Sequence, residues 1–415
     1  MAMNERKSVR DGHDPLIVSL TKYIPYDGIP HAGGQYAKDH FDALAGIARV
    51  VAVAPSTPAN RAAVTRQGAP GEVILIEGTG PFRAGRAKLL TDLASAWRGS
   101  DAQGFFGRAV TTPEWPWDLL AEADVVEFQW SEMASLAPLV RSRLPEKPLV
   151  VVAHDVITQR WRRAAGASKN PVLRTAYSVA ARRSAARERR DFAAADRVVV
   201  FSEKDAALVR DLAPAAQPVV VAPGFRLGST STAQQAEEPV VLFTGALGRP
   251  DNDRAVRWFL QNVWPRVTER VPDALFVAAG SGPRRGLRRL VARSRRAELT
   301  GFVPSLDPYY ASARVFVAPV LTGAGVKFKT VDALVRGLPT VATPVGAEGI
   351  EREDVFAGVT DDPVRFADLV VAALRGAHAE RAAAAGEWAA EVYGMDAFTR
   401  RVRAVYGQLM PDPLA

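Results

Sequence analysis

The feature that most limits how this chain can fold is an alternation of short apolar runs with longer helical stretches, and it occurs twice. In the first half the runs are Leu16–Leu20, Val50–Val53, Glu72–Ile76, Val125–Phe128, Leu149–Ala153, Arg197–Phe201 and Val219–Ala222. After Pro223-Gly224 comes Ser229–Glu238, which is polar and aperiodic. The pattern then restarts with Val240–Phe243, Leu275–Ala279, Ala297–Thr300, Val315–Ala318 and Thr340–Ala342. Apolar runs of strand length suit strands buried on both faces. Their alternation with helical stretches is the mark of βα units on a parallel sheet. Two such series joined by a polar linker predict an α/β protein of two Rossmann-like, doubly wound domains with a ligand between them. The expected divisions are 1–225, a linker at 226–239, 240–392, and a C-terminal helical segment at 393–415. The glycine-rich stretch Gly80–Thr112 carries no readable period.

The densest chemistry lies at Val320–Leu334, where the run Arg314–Pro319 enters a Gly323-Ala324-Gly325 turn that opens a helix. Glycines let a backbone approach a ligand closely, and the free N–H groups of a helix start favour an anion. Lys327 and Lys329 add full positive charge, and charge-assisted bonds to phosphate are among the stronger ones. Asp332, one turn on, suits a ribose diol. The plain alternative is an ordinary strand–turn–helix connection with a solvated lysine pair. Further glycine loops follow strands at Gly33-Gly34, at Gly280-Ser281-Gly282, at Gly301-Phe302-Val303 and at Gly346–Gly349. Each is weak alone; together they point to a nucleotide-diphosphate site. His154-Asp155 follows Leu149–Ala153 directly, at the strand end where α/β proteins place ligands. His154 suits a sugar hydroxyl or the anomeric centre, although a structural histidine beside an Asp cap fits the same residues.

Composition narrows the classes. The chain has 415 residues, is 48% hydrophobic and 24% charged, and contains no cysteine, so it is globular and has no disulfide framework or thiolate metal site. No apolar window approaches the ~20 residues that span a bilayer, and a cytoplasmic location is expected. No His/Asp/Glu cluster has the spacing of a metal site, and the one Asp-x-Asp tripeptide, Asp251-Asn252-Asp253, stands alone just after Arg249-Pro250. Neither cofactor nor metal is expected, the diphosphate being met by lysine, arginine and backbone dipoles. The net charge of +8 is uneven: Arg160–Asp191 holds ten Arg or Lys against Glu188 and Asp191. A second basic run spans Arg284–Arg296. Such patches attract anionic lipid, nucleic acid or polyanions, unless they are simply solvated helix faces. Trp161 and Tyr177 are the only aromatics among these arginines, too few for a base-stacking series, so nucleic acid is not the expected partner. An anionic membrane surface at Arg160–Arg190, at the inner membrane face, is.

The second half resembles a retaining GT-B glycosyltransferase of family 4. The resemblance runs through Val241–Gly245, Trp258–Leu260, Trp264-Pro265, Gly280–Pro283, Gly301–Val303, Asp307–Tyr310, Gly323–Leu334, Gly337–Thr343 and Gly346–Gly349. In the first half it rests on Gly33-Gly34, His154-Asp155 and Ala195–Val198 followed by Ser202. The resemblance implies two domains facing a central cleft and a C-terminal helix that returns to the first domain. It implies sugar transfer from a nucleotide diphosphate, with retention, to a saccharide, lipid-linked or small-molecule acceptor. It places pyrophosphate contacts on Lys327 and Lys329, the ribose contact on Asp332 and a histidine near the anomeric centre on His154. It also places donor contacts on Gly33, Gly34, Gly245, Arg249, Gly280, Gly282, Val303, Gly323, Ala324, Gly325 and Val326. Two departures stand out: Asp332 replaces the family's usual Glu, and Ala324 occupies the position of its first motif acid. The competing readings are a nucleotide-sugar epimerase, with His154, Asp155 and Glu348 as acid–base candidates, and a non-catalytic basic binding protein.

Overall fold

The computed structural model describes residues 14–77, 110, 115–226 and 238–410. Most of the expected linker and of Gly80–Thr112 lies outside these residues. The first sheet is parallel throughout, with strands β1 (Leu16–Thr21), β2 (Arg49–Pro55), β3 (Glu72–Ile76), β4 (Val125–Gln129), β5 (Leu149–Val152), β6 (Arg197–Val200) and β7 (Pro218–Val220) in the order β3-β2-β1-β4-β5-β6-β7. The second is also parallel: β8 (Val240–Thr244), β9 (Leu275–Ala279), β10 (Ala297–Gly301), β11 (Val315–Ala318), β12 (Thr340–Ala342) and β13 (Gly358–Val359), ordered β10-β9-β8-β11-β12-β13. Helices cover both faces, and this explains why β1, β4, β5, β8 and β11 are buried along their whole length. The last strand of the first sheet sits one to two residues earlier than the apolar run Val219–Ala222 suggests. The short edge strand β13 has no counterpart in the sequence reading.

Strand order locates the ligand region. Each sheet reverses direction once, between β1 and β4 in the first domain and between β8 and β11 in the second. Loops leaving the carboxyl ends of such neighbours diverge and open a crevice. In the second domain those loops are 245–249 and 319–327, which hold the glycine-lysine motif.

Local signals set the helix starts. His31 caps helix Ala32–Ala45, Thr57 caps Pro58–Val64, Ser202 caps Glu203–Leu212 and Asp362 caps Pro363–Leu374, each accepting a first-turn N–H. Helix Met395–Gly407 packs on the first domain, with Phe398 and Tyr406 fully buried. There Tyr406 donates to Glu127, a carboxylate buried in β4 that also accepts from Ser19 Oγ at 2.6 Å and meets His40 Nε2 at 2.7 Å. Burial pushes the Glu127 carboxyl up, but His40 and these hydrogen bonds outweigh it and hold it below its ordinary range. Among the described residues no helix is long and apolar enough to cross a membrane.

Candidate active site

Lys329 lies in the first turn of helix Phe328–Val335, whose cap is Lys327. Its Nζ donates to the Asn252 side-chain oxygen at 2.6 Å and stands 4.2 Å from the centroid of the Phe243 ring. The position exists because residue 245 is glycine. Gly245 has φ +142°, and a Cβ there would fall 2.6 Å from Lys329 Nζ and 2.9 Å from Asn252 Nδ2. Burial, with the nearby Arg249 and Lys327 charges, lowers the Lys329 pKa to about 7, and Asp251 offsets only part of this. A half-buried ammonium whose hydrogen-bond partner is a neutral amide is a place where an anion is wanted.

The other second-domain residues named as donor contacts lie as follows. Arg249 is exposed at the start of helix Pro250–Trp258 and directs its charge toward Lys329 and, across the cleft, toward His31. Gly280 and Gly282 flank Ser281, whose carbonyl accepts from Leu247 N at 2.7 Å, so the loops after β8 and β9 are tied together. Val303 is half-buried in the turn after β10, next to Phe302, which is 72% exposed. Asp332 is paired with Arg336 at 2.9 Å, and Arg336 continues to Asp307 at 2.7 Å. Burial raises the Asp332 carboxyl despite Arg336.

Lys327 has a different surrounding. Its Nζ donates to Gly325 O at 2.5 Å and to Ala324 O at 3.4 Å, and reaches Glu348 Oε2 at 3.3 Å. Glu348, in the loop after β12, is also gripped from the first domain. Arg163 takes both of its oxygens at 2.7 and 2.5 Å and donates to Gly323 O at 2.5 Å, while Lys204 reaches it at 2.8 Å. Burial would raise the Glu348 carboxyl; the Arg163 hydrogen bond, Lys327 and Lys204 outweigh it and hold it at about 2. Neither Arg163 nor Lys204 belongs to a local motif that reveals this role. Val326, 8% exposed, packs at Gly349, where a Cβ would meet its Cγ2 at 2.7 Å.

The first domain brings His154 to the same place. A methyl group at Gly325 would stand 3.4 Å from the His154 carbonyl oxygen, so the glycine turn of one domain touches the strand end of the other. His154 stacks on Trp130 at 4.2 Å between ring centroids, and Trp130 is held at φ +86°. His154 Nε2 is buried without a hydrogen-bond partner among the described residues. Burial, with His40, His31 and Lys22 outweighing Glu132, lowers its pKa to about 3, so the ring is neutral near pH 7. Gly33 lies under it: a Cβ there would be 3.2 Å from His154 Nδ1. Gly33 and Gly34 belong to the first turn of helix Ala32–Ala45 rather than to a loop before it, because His31 starts the helix. The Gly34 N–H is taken by His31 Nδ1 at 2.9 Å, so that amide is already used within the first domain.

Residues 238–375 match the family model described as group 1 glycosyl transferases. A Klebsiella pneumoniae protein, named only as an uncharacterized 44.6 kDa protein in the cps region, is 33% identical over 139 residues, which are 32% of this chain and 36% of that protein. The match thus spans about a third of the curated relative. Among solved structures, Anabaena HepE in complex with UDP aligns with a TM-score of 0.66 at 11% identity, over 95% of this chain and 100% of that one. Sucrose-phosphate synthase from Thermosynechococcus elongatus aligns at 0.63 and 17% identity, over 95% and 99%. A glycosyltransferase from Rickettsia africae aligns at 0.58 and 10% identity, over 96% and 99%. These likenesses show the fold: two Rossmann-like domains in the GT-B arrangement.

Proposed function

We propose that the protein is a retaining glycosyltransferase that moves a sugar from a nucleotide diphosphate to an acceptor hydroxyl. The observation that carries this reading is Lys329, a half-buried cation bonded to a neutral amide and surrounded by Arg249, Lys327 and glycine loops. The group 1 match over residues 238–375 supports it, as do the UDP and UDP-glucose complexes among the structures of similar fold.

In this mechanism the bond between the anomeric carbon and the diphosphate oxygen breaks, and negative charge grows on the leaving diphosphate. Lys329 and Lys327 meet that charge from fixed positions, which is where preorganised electrostatics accelerate a reaction most. The acceptor oxygen bonds to the anomeric carbon on the same face, and its proton passes to the departing phosphate oxygen. His154, neutral and set against the glycine turn, holds a sugar hydroxyl without competing for the diphosphate. Asp332 holds the ribose. The acceptor, a saccharide, a lipid-linked saccharide or a small molecule, enters from the first domain, and synthesis of a polysaccharide is the fitting context.

Thermal unfolding with UDP, GDP, ADP and dTDP tests this reading. One diphosphate is expected to stabilise the protein selectively, by about 2.7 kcal/mol at ~100 times its dissociation constant. The same addition should leave Lys329→Ala nearly unmoved. No stabilisation by any of the four would remove the donor site. Conversion of a donor sugar without an acceptor would favour an epimerase.

A further inference from the structure

The basic segment of the first domain forms a helical hairpin, Ile157–Ala167 and Pro171–Ala193. One side of it serves the site, where Arg163 reaches Glu348 and Gly323. The other side has no role in the mechanism. The hairpin has a small core of its own, in which Trp161 stacks on Tyr177 at 5.9 Å beside Ile157, Ala180 and Ala181. Only the second half of the long helix is rooted in the domain, through buried Ser184, Glu188, Asp191 and Phe192. Its first six residues, 171–176, are exposed on every side. Val172 is 75% exposed and Leu173 44%, beside the exposed Lys169 and Arg174.

Along the same helix Arg174, Ser178, Arg182, Ala185 and Arg189 recur at three- or four-residue spacing and therefore share a face. With Arg162 from the partner helix, Ser178, Arg182 and Arg189 line an open groove of about 500 Å³ whose floor includes Ala165 and Ala181. The hairpin's two acids are turned inward. Glu188 accepts the Ile157 and Thr158 N–H groups at 2.6 and 3.0 Å, and Asp191 is 2% exposed and paired with Arg190 at 2.9 Å. The outer face is thus cationic with an apolar tip.

We propose that this hairpin docks the protein on an anionic lipid bilayer, with Val172 and Leu173 entering the interface and the Arg162–Arg182–Arg189 groove taking a headgroup phosphate. An apolar tip beside cations matches the two layers a bilayer presents in depth, headgroup charge and then hydrocarbon. A polynucleotide would use the cations and leave the tip unused, and the aromatics that could stack on bases, Trp161 and Tyr177, are packed on each other.

Flotation of the full chain with vesicles of phosphatidylcholine alone, and of phosphatidylcholine with phosphatidylglycerol, tests the docking. Binding is expected only where phosphatidylglycerol is present. Each basic residue near such a surface is worth about fivefold, so Arg162→Gln, Arg182→Gln and Arg189→Gln together should weaken binding roughly a hundredfold. Val172→Ser with Leu173→Ser, at exposed positions that do not threaten folding, should weaken it as well. A matched triple on the second basic helix, Arg285→Gln, Arg289→Gln and Arg293→Gln, should leave it unchanged. Equal binding to neutral vesicles, no binding, equal loss in the matched triple, or displacement by polynucleotide would each overturn the proposal. Stabilisation by nucleotide diphosphate, measured on the same variants, should be unaffected, so a failure of docking is separable from a failure of the donor site.

Discussion

Lys329→Ala is expected to lower turnover at least ~10²-fold and to leave the fold in place, the size typical of losing one preorganised charge at a developing anion. The loss follows from position. The ammonium is held by Asn252, passes over the Phe243 ring and occupies space that Gly245 leaves open. Lys327 does not replace it, being engaged with Gly325 and Glu348. Stability should change little or rise, because a half-buried cation of lowered pKa is removed. Near-normal turnover in a folded Lys329→Ala variant would exclude the residue from the diphosphate site.

The same lysine makes donor binding sensitive to pH. In the folded protein its pKa is about 7, against an ordinary 10.5. Between these values the unfolded chain binds the extra proton, so this group's contribution to stability rises as pH increases from about 7 toward 10.5. A bound diphosphate favours the charged form and raises the pKa again. Binding near pH 8 should therefore take up a proton, and affinity should fall as pH climbs through 7 to 9. Calorimetry in buffers of different ionisation enthalpy reads the proton directly. Uptake in wild type that persists undiminished in Lys329→Ala would assign it to another group.

The fold was legible because its strands are buried on both faces and so read as apolar runs; β1 to β6 and β8 to β12 all fall where such runs stand. What escaped was what carries no period. Strand β13 is two residues long. A π-helical turn at Phe259–Val263 sits inside a stretch that otherwise reads as helix. The helix after β1 starts at Ala32, four residues before the apolar stripe begins, because His31 supplies a cap. Within the candidate site, the second domain's glycine loops were readable since they stand at strand ends. Asn252, Arg163 and Lys204 were not, because their meaning depends on residues 77, 185 and 144 positions away. Trp130 was hidden for another reason: nothing in a tryptophan announces a left-handed backbone, and its ring meets His154, Tyr23 and His31, all distant in sequence.

The distant contacts also predict the largest effect on how the domains hold together. Glu348 joins Arg163 and Lys204 of the first domain to Lys327 of the second, and its side chain is 6% exposed. Removing one partner of a buried ionic cluster strands the others and typically costs about 3–5 kcal/mol. Here Arg163 and Lys204 keep about a third of their side-chain surface in water, so Glu348→Gln should cost less, about 2–3 kcal/mol. The carboxyl is held at about 2 against an ordinary 4.5. Its contribution is therefore complete above 4.5 and is lost as pH falls toward 2, so the stability gap between wild type and Glu348→Gln should close over that interval. Denaturant unfolding of both proteins at pH 7 and at stepwise lower pH measures it. A gap that is absent at pH 7, or that stays constant on acidification, would mean that the carboxylate does not bind the two domains. The consequence reaches the chemistry, because Arg163 also holds the Gly323 carbonyl. Glu348→Gln should free Lys327 and loosen the glycine turn together, lowering nucleotide-diphosphate affinity even where Lys329 is intact.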